Sequence, residues 1–495
     1  MKSKSSPFLS KTKYLEGLKC PKLLWYEYNR KEELPPVDAR AQAVMDQGTI
    51  VGELAQTLFP GGIKLERAYE PEKQAEQSLK AARLRKPLFE AGFINERAYA
   101  LADILNPVGK NVWDLIEVKS STSAKDEYLQ DVAFQKYVYE GAGLKIRRCY
   151  LMHINKEYTR HGKINPKQLF AKEDVTDFVT DIIPHIEDGI DSMIKAIAEK
   201  NPPLVKVSPH CDKPRTCPLE DKCWDFLPEK DDIFCLYGGT KKAYVFMQNG
   251  VLSITQIKES VNLTYKQIIQ VESHASRKPY IDKKAIKEFL DTLVYPLYFL
   301  DFETMSMAIP PYDACRPYEN IPFQYSLYVI NKKGAKPKRY PYLATGKKDP
   351  RPEILKNLKL LLGKSGSIIA YNAIFEKTVL RKSSDAYPKY KKWLEGIEER
   401  VVDLLGPFRN FSYYHPDQSG SASLKDVMPV ITNLTYENMA IADGGMASSE
   451  YCRVTFDGKI DKNERERVRV ALEKYCDLDT KGMIDILREL EKHTR

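Results

Sequence analysis

Between residues 88 and 120 apolar and polar positions alternate, and a period of two marks strands. LFEAGFINERAYALADIL carries the alternation, NPVGKN (106–111) reads as a turn, and VWDLIEVKS (112–120) resumes it. Around this block the period lengthens. Residues 7–30 predict a helix with Ser10 as N-cap and Tyr14, Leu15, Leu18, Leu23 and Leu24 as apolar positions. A second helix is expected over 41–58, closed by Pro60-Gly61-Gly62, and a charged one over 71–86. Residues 125–141 return to helical spacing, RCYLMHIN (148–155) is a further strand, and charged helices run to about residue 200. Residues 236–290 read as short helices with breakers, a connector. VYPLYFLDFETMSM then opens a strand-rich region with helices interleaved to the C-terminus, an α/β or α+β pattern. No internal repeat or low-complexity tract is evident.

Composition narrows the class. A chain of 495 residues, 43% hydrophobic and 29% charged, fits two or three globular domains. No apolar run approaches the ~20 residues of a membrane span. MKSKSSPFLSKTKYLEG has no apolar core of a secretion signal, so a cytoplasmic location and no membrane partner are expected. The net charge of +9 is compatible with a nucleic-acid partner without establishing one. The nine cysteines are odd in number, so clustered thiols read as metal ligands before disulfides.

The first chemical constellation is Asp103, Glu117 and Lys119. Residues two apart on a strand share a face, so Glu117 and Lys119 project together, and a hairpin brings Asp103 beside them. Two carboxylates can hold a hard divalent cation, and a lysine can offset charge on a phosphate. Gln135 and Tyr139, at i and i+4 on the next helix, either touch substrate or form a helix surface with a partly buried tyrosine. ALADIL, IEVKS and QKYVY together resemble the RecB-like branch of the PD-(D/E)XK nucleases. The resemblance implies a restriction-endonuclease-like core, catalysis by Asp103, Glu117, Lys119, Gln135 and Tyr139, and Mg²⁺ or Mn²⁺ at Asp103 and Glu117. Many relatives have a histidine where QGTIVGELA has Gly52, and Glu53 is the stand-in ligand.

CDKPRTCPLEDKCW holds Cys211, Cys217 and Cys223, one thiol short of a usual structural metal set. One subgroup of the same nucleases, the CRISPR-associated RecB-like and AddB type, carries an iron–sulfur cluster with one cysteine before the core and three after it. The resemblance nominates Cys20, in GLKCPKLLWYE, as the fourth ligand of a [4Fe–4S] cluster. Zinc is the chemical alternative, although its usual tight cysteine pairs are absent. His210 is expected at the surface or behind the ligands, and Trp25 and Trp224 either stack on bases or pack around the cluster. Cys149, Cys235, Cys315, Cys452 and Cys476 read as ordinary reduced residues.

YFLDFETMS places Asp301 and Glu303 on one strand face with Leu297 and Phe299. Two carboxylates projecting from an apolar strand are costly without a cation or partners, unless the strand end is solvated. Asn372 and Glu376 in SIIAYNAIFEKTVL, and Tyr475 and Asp479 in LEKYCDLDTKGM, are i, i+4 pairs on predicted helices. In this order the set resembles the DEDD exonucleases of the tyrosine variant, with a ribonuclease H-like fold and Glu376 in place of the usual aspartate. The resemblance implies two metal ions about 4 Å apart, attack at a 3′ end, and water oriented by Tyr475. Asp403 ranks lower, as a supporting or structural residue.

The expected organisation is a nuclease domain over 1–235, a helical connector over 236–290 and an exonuclease domain over 291–495, a pairing that resembles a group of uncharacterised bacterial two-module proteins. The expected function is metal-dependent hydrolysis of DNA, strand ends or single strands included, with the second domain acting 3′→5′. RNA processing, or nucleic-acid binding with one decayed site, are the alternatives.

Overall fold

Pro21 divides the first expected helix. With no N–H to give, it cannot continue a helix but can start one. Lys11–Lys19 is capped by the Ser10 hydroxyl, which accepts from Lys13 N–H at 3.4 Å, and Pro21–Asn29 follows. Cys20 is the extended residue between them, at once the end of one helix and the start of the next. The computed structural model describes residues 8–68, 70–211, 217–258 and 261–494. Pro7 and the whole link between Cys211 and Cys217, residues 212–216, lie outside the described residues.

Two units emerge, Met1–Trp224 with Met307–Tyr318, and Asp225–Ser306 with Glu319–Arg495. The fold of both is mixed α/β. In the first, β1 (Leu9–Ser10), β2 (Ile63–Lys64), β3 (Leu88–Asn95), β4 (Ala98–Gly109), β5 (Val112–Lys119), β6 (Lys145–Ile154) and β7 (Phe170–Asp174) form one sheet. Its order is β2-β3-β4-β5-β6-β7, with β1 beside β4. The NPVGKN reversal is tighter than expected. β4 runs to Gly109, opposite Val112, and the turn is left to Lys110 and a left-handed Asn111, a residue type that tolerates positive φ. β5 and β6 are parallel, so the chain must cross over between them, and helix Asp126–Gly141 makes the crossing. Its Val132, Ala133, Phe134 and Val138 join Phe93, Trp113 and Leu115 in the main core. Met307–Tyr318 completes a second apolar cluster, where Ala308 and Ile309 meet Val51, Phe89, Ile104 and Ile116. Arg160 Nη1 holds that segment by donating to Pro310 O at 2.9 Å and Pro311 O at 2.6 Å.

The second unit has a pair, β8 (Tyr280–Ile281) with β14 (Tyr413–Tyr414), and a larger sheet. The sheet contains β9 (Leu297–Met305), β10 (Ile321–Ile330), β11 (Lys338–Leu343), β12 (Ile368–Ala370) and β13 (Val401–Asp403), in order β11-β10-β9-β12-β13. β9, β12 and β13 are parallel, and β10 is antiparallel to β9. One face packs Leu297 and Phe299 against Met483, Ile486 and Leu487 of the long helix Lys462–His493. The other packs Leu300 and Phe302 against Ile354, Leu358 and Val379 of helices Arg351–Leu361 and Ala373–Ala386. The stretch 236–290 is helical as expected, yet it does not stand apart. β8 pairs with β14, and buried His274 bridges Asp231 Oδ1 (2.6 Å) and Tyr414 Oη (2.8 Å). Among the described residues no helix is long and apolar enough to cross a membrane.

Candidate active sites

The first site stands where β4, β5 and helix Asp126–Gly141 meet. Ile104 lies opposite Ile116, so Asp103 comes level with Glu117, and its Oδ2 accepts from Val118 N–H at 2.7 Å. Lys119 Nζ contacts Glu117 Oε1 at 2.7 Å and Asp131 Oδ2 at 2.5 Å. Gln135 Nε2 donates to Glu117 Oε2 at 2.7 Å and Asp131 Oδ1 at 2.8 Å, and Tyr139 Oη donates to Gln135 Oε1 at 3.2 Å. Gln135 and Tyr139 are wholly buried, so they brace Glu117 and Asp131 rather than meet anything in the cleft. Lys11 adds a second ammonium, 2.8 Å from Glu117 Oε1. Burial works against the charged form of Lys119, but Glu117 and Asp131 outweigh it and hold its pKa above the ordinary value.

In front of Asp103, Glu117 and Lys119 opens a cleft of about 340 Å³ that Gly52, Glu53 and Glu90 also line. Glu53 is exposed and paired with Lys64 at 2.9 Å. A Cβ built on Gly52 would meet nothing within 4 Å. Glu90 stands across from Asp103, between the pairs Phe89–Ile104 and Ala91–Ala102, with a left-handed backbone, and burial pushes its carboxyl pKa up.

Cys20, Cys211, Cys217 and Cys223 all line one small cavity, together with Val205, Leu219 and Trp224. The helix break at Pro21 is what brings Cys20 there, behind an apolar wall of Leu23, Trp25, Tyr26 and Leu219. Trp25 is buried and donates its indole N–H to Glu199 O at 2.8 Å, a packing role. His210 Nε2 lies 3.6 Å from Cys211 Sγ and Nδ1 bonds Ser208 Oγ at 2.5 Å, which places it behind the thiol. Four thiols around one apolar cavity are a donor set that fits an iron–sulfur cluster. Among the described residues no three of these sulfurs fall within 4.8 Å of one another. A tetrahedral Zn–S₄ centre would hold them ~3.8 Å apart.

The second site gathers four acidic residues from three elements. β9 supplies Asp301 and Glu303, the first turn of Ala373–Ala386 supplies Glu376, and Lys462–His493 supplies Tyr475 and Asp479. Glu303, Glu376 and Asp479 are 6%, 3% and 6% exposed. Burial, then mutual repulsion, raises the pKa of Asp301, Glu303 and Glu376 well above the usual carboxylate range. Burial pushes Asp479 up to about 6. Asn372 does not join them; it is exposed, in the left-handed region, as the helix N-cap. Asp403 fixes that cap, since its Oδ1 accepts from Asn372 N–H (2.9 Å) and Leu405 N–H (3.1 Å).

Several partners escaped the sequence. Asp131 is one turn before Gln135, and the same helical spacing extended backward would have found it. Lys11 and Glu90 carry no local signal. In the second unit Tyr436 donates its hydroxyl to Asp479 from a loop. Cys476, an ordinary reduced thiol by sequence, lies with Sγ 3.5 Å from Asp301 Oδ2. Ser326 and Gln324 of β10 stand directly opposite Asp301 and Glu303. Ser326 Oγ, Gln324 Oε1 and Glu376 Oε2 are buried without a hydrogen-bond partner.

A family model described as "Domain of unknown function (DUF2779)" matches residues 298–423. The match includes Asp301, Glu303, Glu376 and Asp403 and ends before Tyr436, Tyr475 and Asp479. The chain is 24% identical over 295 residues to "Uncharacterized protein MG366" of Mycoplasma genitalium, covering 53% of this chain and 44% of that protein. It is 25% identical over 256 residues to the MG366 homolog of Mycoplasma pneumoniae, covering 47% and 38%. The chain spans under half the length of each of these relatives.

Proposed function

We propose that the chain is a metal-dependent nuclease with two hydrolytic sites acting on DNA, the second trimming strands 3′→5′. The observation that carries this reading is the convergence of half-buried Asp301 with buried Glu303, Glu376 and Asp479, their carboxyls pushed toward protonation. Such a set is costly unless it serves to hold cations. The sheet order β11-β10-β9-β12-β13, with only β10 antiparallel beside the central strand, supports a ribonuclease H-like reading of the second unit. The site lies beyond the C-terminal ends of β12 and β13, where open α/β sheets place their ligands. The β4–β5 hairpin followed by a crossover helix supports a PD-(D/E)XK reading of the first.

Mg²⁺ or Mn²⁺, when bound, polarises the phosphodiester and acidifies water. In the second site Asp301, Glu303, Glu376 and Asp479 would hold such ions. Tyr436 fixes the orientation of Asp479, and Tyr475 orients water for attack. In the first site Asp103 and Glu117 would hold the ion, with Glu53 a further carboxylate lining the same cleft from the helix side. Lys119, kept charged by Glu117 and Asp131, steadies negative charge growing on the phosphate. Gln135 and Lys11 keep Glu117 aimed. Cys20, Cys211, Cys217 and Cys223 would hold a [4Fe–4S] cluster, which supplies a structural clip between the chain start and the stretch after the core.

Binding without cleavage is the second reading for the first unit. It is favoured by one observation, that Glu117 Oε1 already takes both Lys11 and Lys119. The deciding experiment uses anaerobically purified protein with Mg²⁺ or Mn²⁺ on end-labelled DNA and RNA. Lys119→Ala and Asp301→Ala should each remove a different cleavage activity. Intact substrates with wild type and both variants would sink the enzyme reading. Loss of RNA but not DNA cleavage would shift the substrate.

A further inference from the structure

We propose that Cys476 makes the second site a binding site for thiophilic divalent cations of the zinc and cadmium class. The inference rests on reading Asp301 and Glu303 as cation ligands and goes on to say which cations they can trap. Cys476 Sγ, an Asp301 oxygen and a Glu303 oxygen all lie within 4.8 Å of one another. The thiol is wholly buried. Zinc bound through one sulfur at ~2.3 Å and oxygens at ~2.0–2.2 Å holds its ligand atoms ~3.3–3.8 Å apart, so small side-chain shifts close this set.

Independent support comes from Glu376. Its Oε2 is buried without a hydrogen-bond partner, the residue is 3% exposed, and its charge is felt at Glu303 while Asp301's is felt at Glu376. A buried carboxylate oxygen with no hydrogen-bond partner, in the neighbourhood of other carboxylates, asks for a cation. Glu376 lies outside the 4.8 Å group of Cys476, Asp301 and Glu303, so it neighbours that set and does not complete it. Ser326 Oγ and Gln324 Oε1, opposite Asp301 and Glu303 and also buried and unpartnered, offer further oxygens on the same face.

Carboxylates alone suit magnesium and manganese, whereas a thiolate favours zinc and cadmium. On binding, the Cys476 thiol gives its proton to the buffer and the sulfur lone pair to the cation, with no change of oxidation state. Micromolar zinc should therefore displace magnesium and arrest the second site.

The test titrates Cd²⁺ and Mn²⁺ into the metal-stripped full-length chain. ¹¹³Cd NMR separates a one-sulfur site from the all-cysteine set of the first unit. The expected result is a one-sulfur resonance in wild type that is lost in both Cys476→Ser and Asp301→Asn. Cd²⁺ affinity at that site should fall about 10–100-fold in Cys476→Ser while Mn²⁺ binding, followed by electron paramagnetic resonance, persists. Cys476→Ala, checked for folding by thermal melting, guards against a defect peculiar to serine. An unchanged ¹¹³Cd spectrum in Cys476→Ser and Cys476→Ala, with Mn²⁺ still bound, would overturn the thiol assignment and leave the carboxylate reading intact. Failure of wild type to bind Mn²⁺ in a manner sensitive to Asp301→Asn would instead overturn the carboxylate reading itself.

Discussion

Gln135 donates to Glu117 at 2.7 Å from a side chain with no solvent exposure. The same amide nitrogen serves Asp131 at 2.8 Å, so one residue orients two buried carboxylates. Replacing Gln135 with leucine keeps the volume and removes both donations. Burying two carboxylates each short of a donor should cost about 2–4 kcal/mol. The expected outcome is a lower denaturation midpoint for the first unit and loss of its cleavage. Tyr139→Phe removes only the 3.2 Å bond to Gln135 and should cost about 1 kcal/mol. Equal midpoints for Gln135→Leu and wild type would refute the bracing role.

The acidic cluster gives the second unit a pH dependence whose sign can be worked out. Asp479 is pushed up to about 6 in the fold, whereas an unfolded aspartate ionises near ~3.9. As pH rises through that window the unfolded chain loses its proton first, so the metal-free fold loses stability. The full loss, reached above the folded pKa, is about 3 kcal/mol at ~1.4 kcal/mol per pKa unit. Asp301, Glu303 and Glu376, also raised, extend the window upward. Melts of chelated protein should fall from about pH 4 to pH 7, and Mn²⁺ should restore the loss at the upper end. A flat profile without metal would count against the crowded-carboxylate picture.

Gly52 offers a gain-of-function test. A side chain there enters open space in the cleft shared with Asp103 and Glu117. It lies inside helix Ala39–Gln56, where glycine is a poor helix former. Gly52→His should fold at least as well and tighten Mn²⁺ binding about tenfold by adding an imidazole ligand. Unchanged Mn²⁺ affinity in a folded variant would show that this helix does not face the cation.

Removing a thiol should act regionally. Cys20→Ser takes away the donor set in the helix break, and the expected result is loss of absorption near ~400 nm and faster proteolysis of the first unit. The second unit's fragments should survive as in wild type. A colourless wild-type protein carrying stoichiometric zinc would replace the cluster with a zinc centre.

Much of this was legible because the relevant signals are local. The β4–β5 alternation predicted Glu117 and Lys119 on one face, and their shared contact at 2.7 Å follows from it. The Asp301–Glu303 face and the helical spacing of Tyr475 and Asp479 were read the same way. What escaped is long-range or depends on exposure. Lys11 reaches Glu117 across 106 positions, and no periodicity encodes that. Tyr436 reaches Asp479 from a loop. Asn372 and Glu376 share helical spacing, but the helix begins between them, so one caps it at the surface and the other is buried. Pro21 is the local signal for the break at Cys20, but apolar spacing continues across it through Leu23 and Leu24, so spacing alone predicts one helix over 7–30.

The segment Met307–Tyr318 sits between β9 and β10 in the chain yet is part of the first unit. Its Ala308 and Ile309 fill an apolar cluster with Val51, Phe89 and Ile116. No single break in the gene can therefore release either half whole. A stop codon placed after residue 235 would yield a first half missing part of its own wall, and a start placed before β9 would carry that wall away on the wrong piece. One recombination crossover could not exchange either half cleanly between relatives, so the interleaving favours their inheritance as a pair.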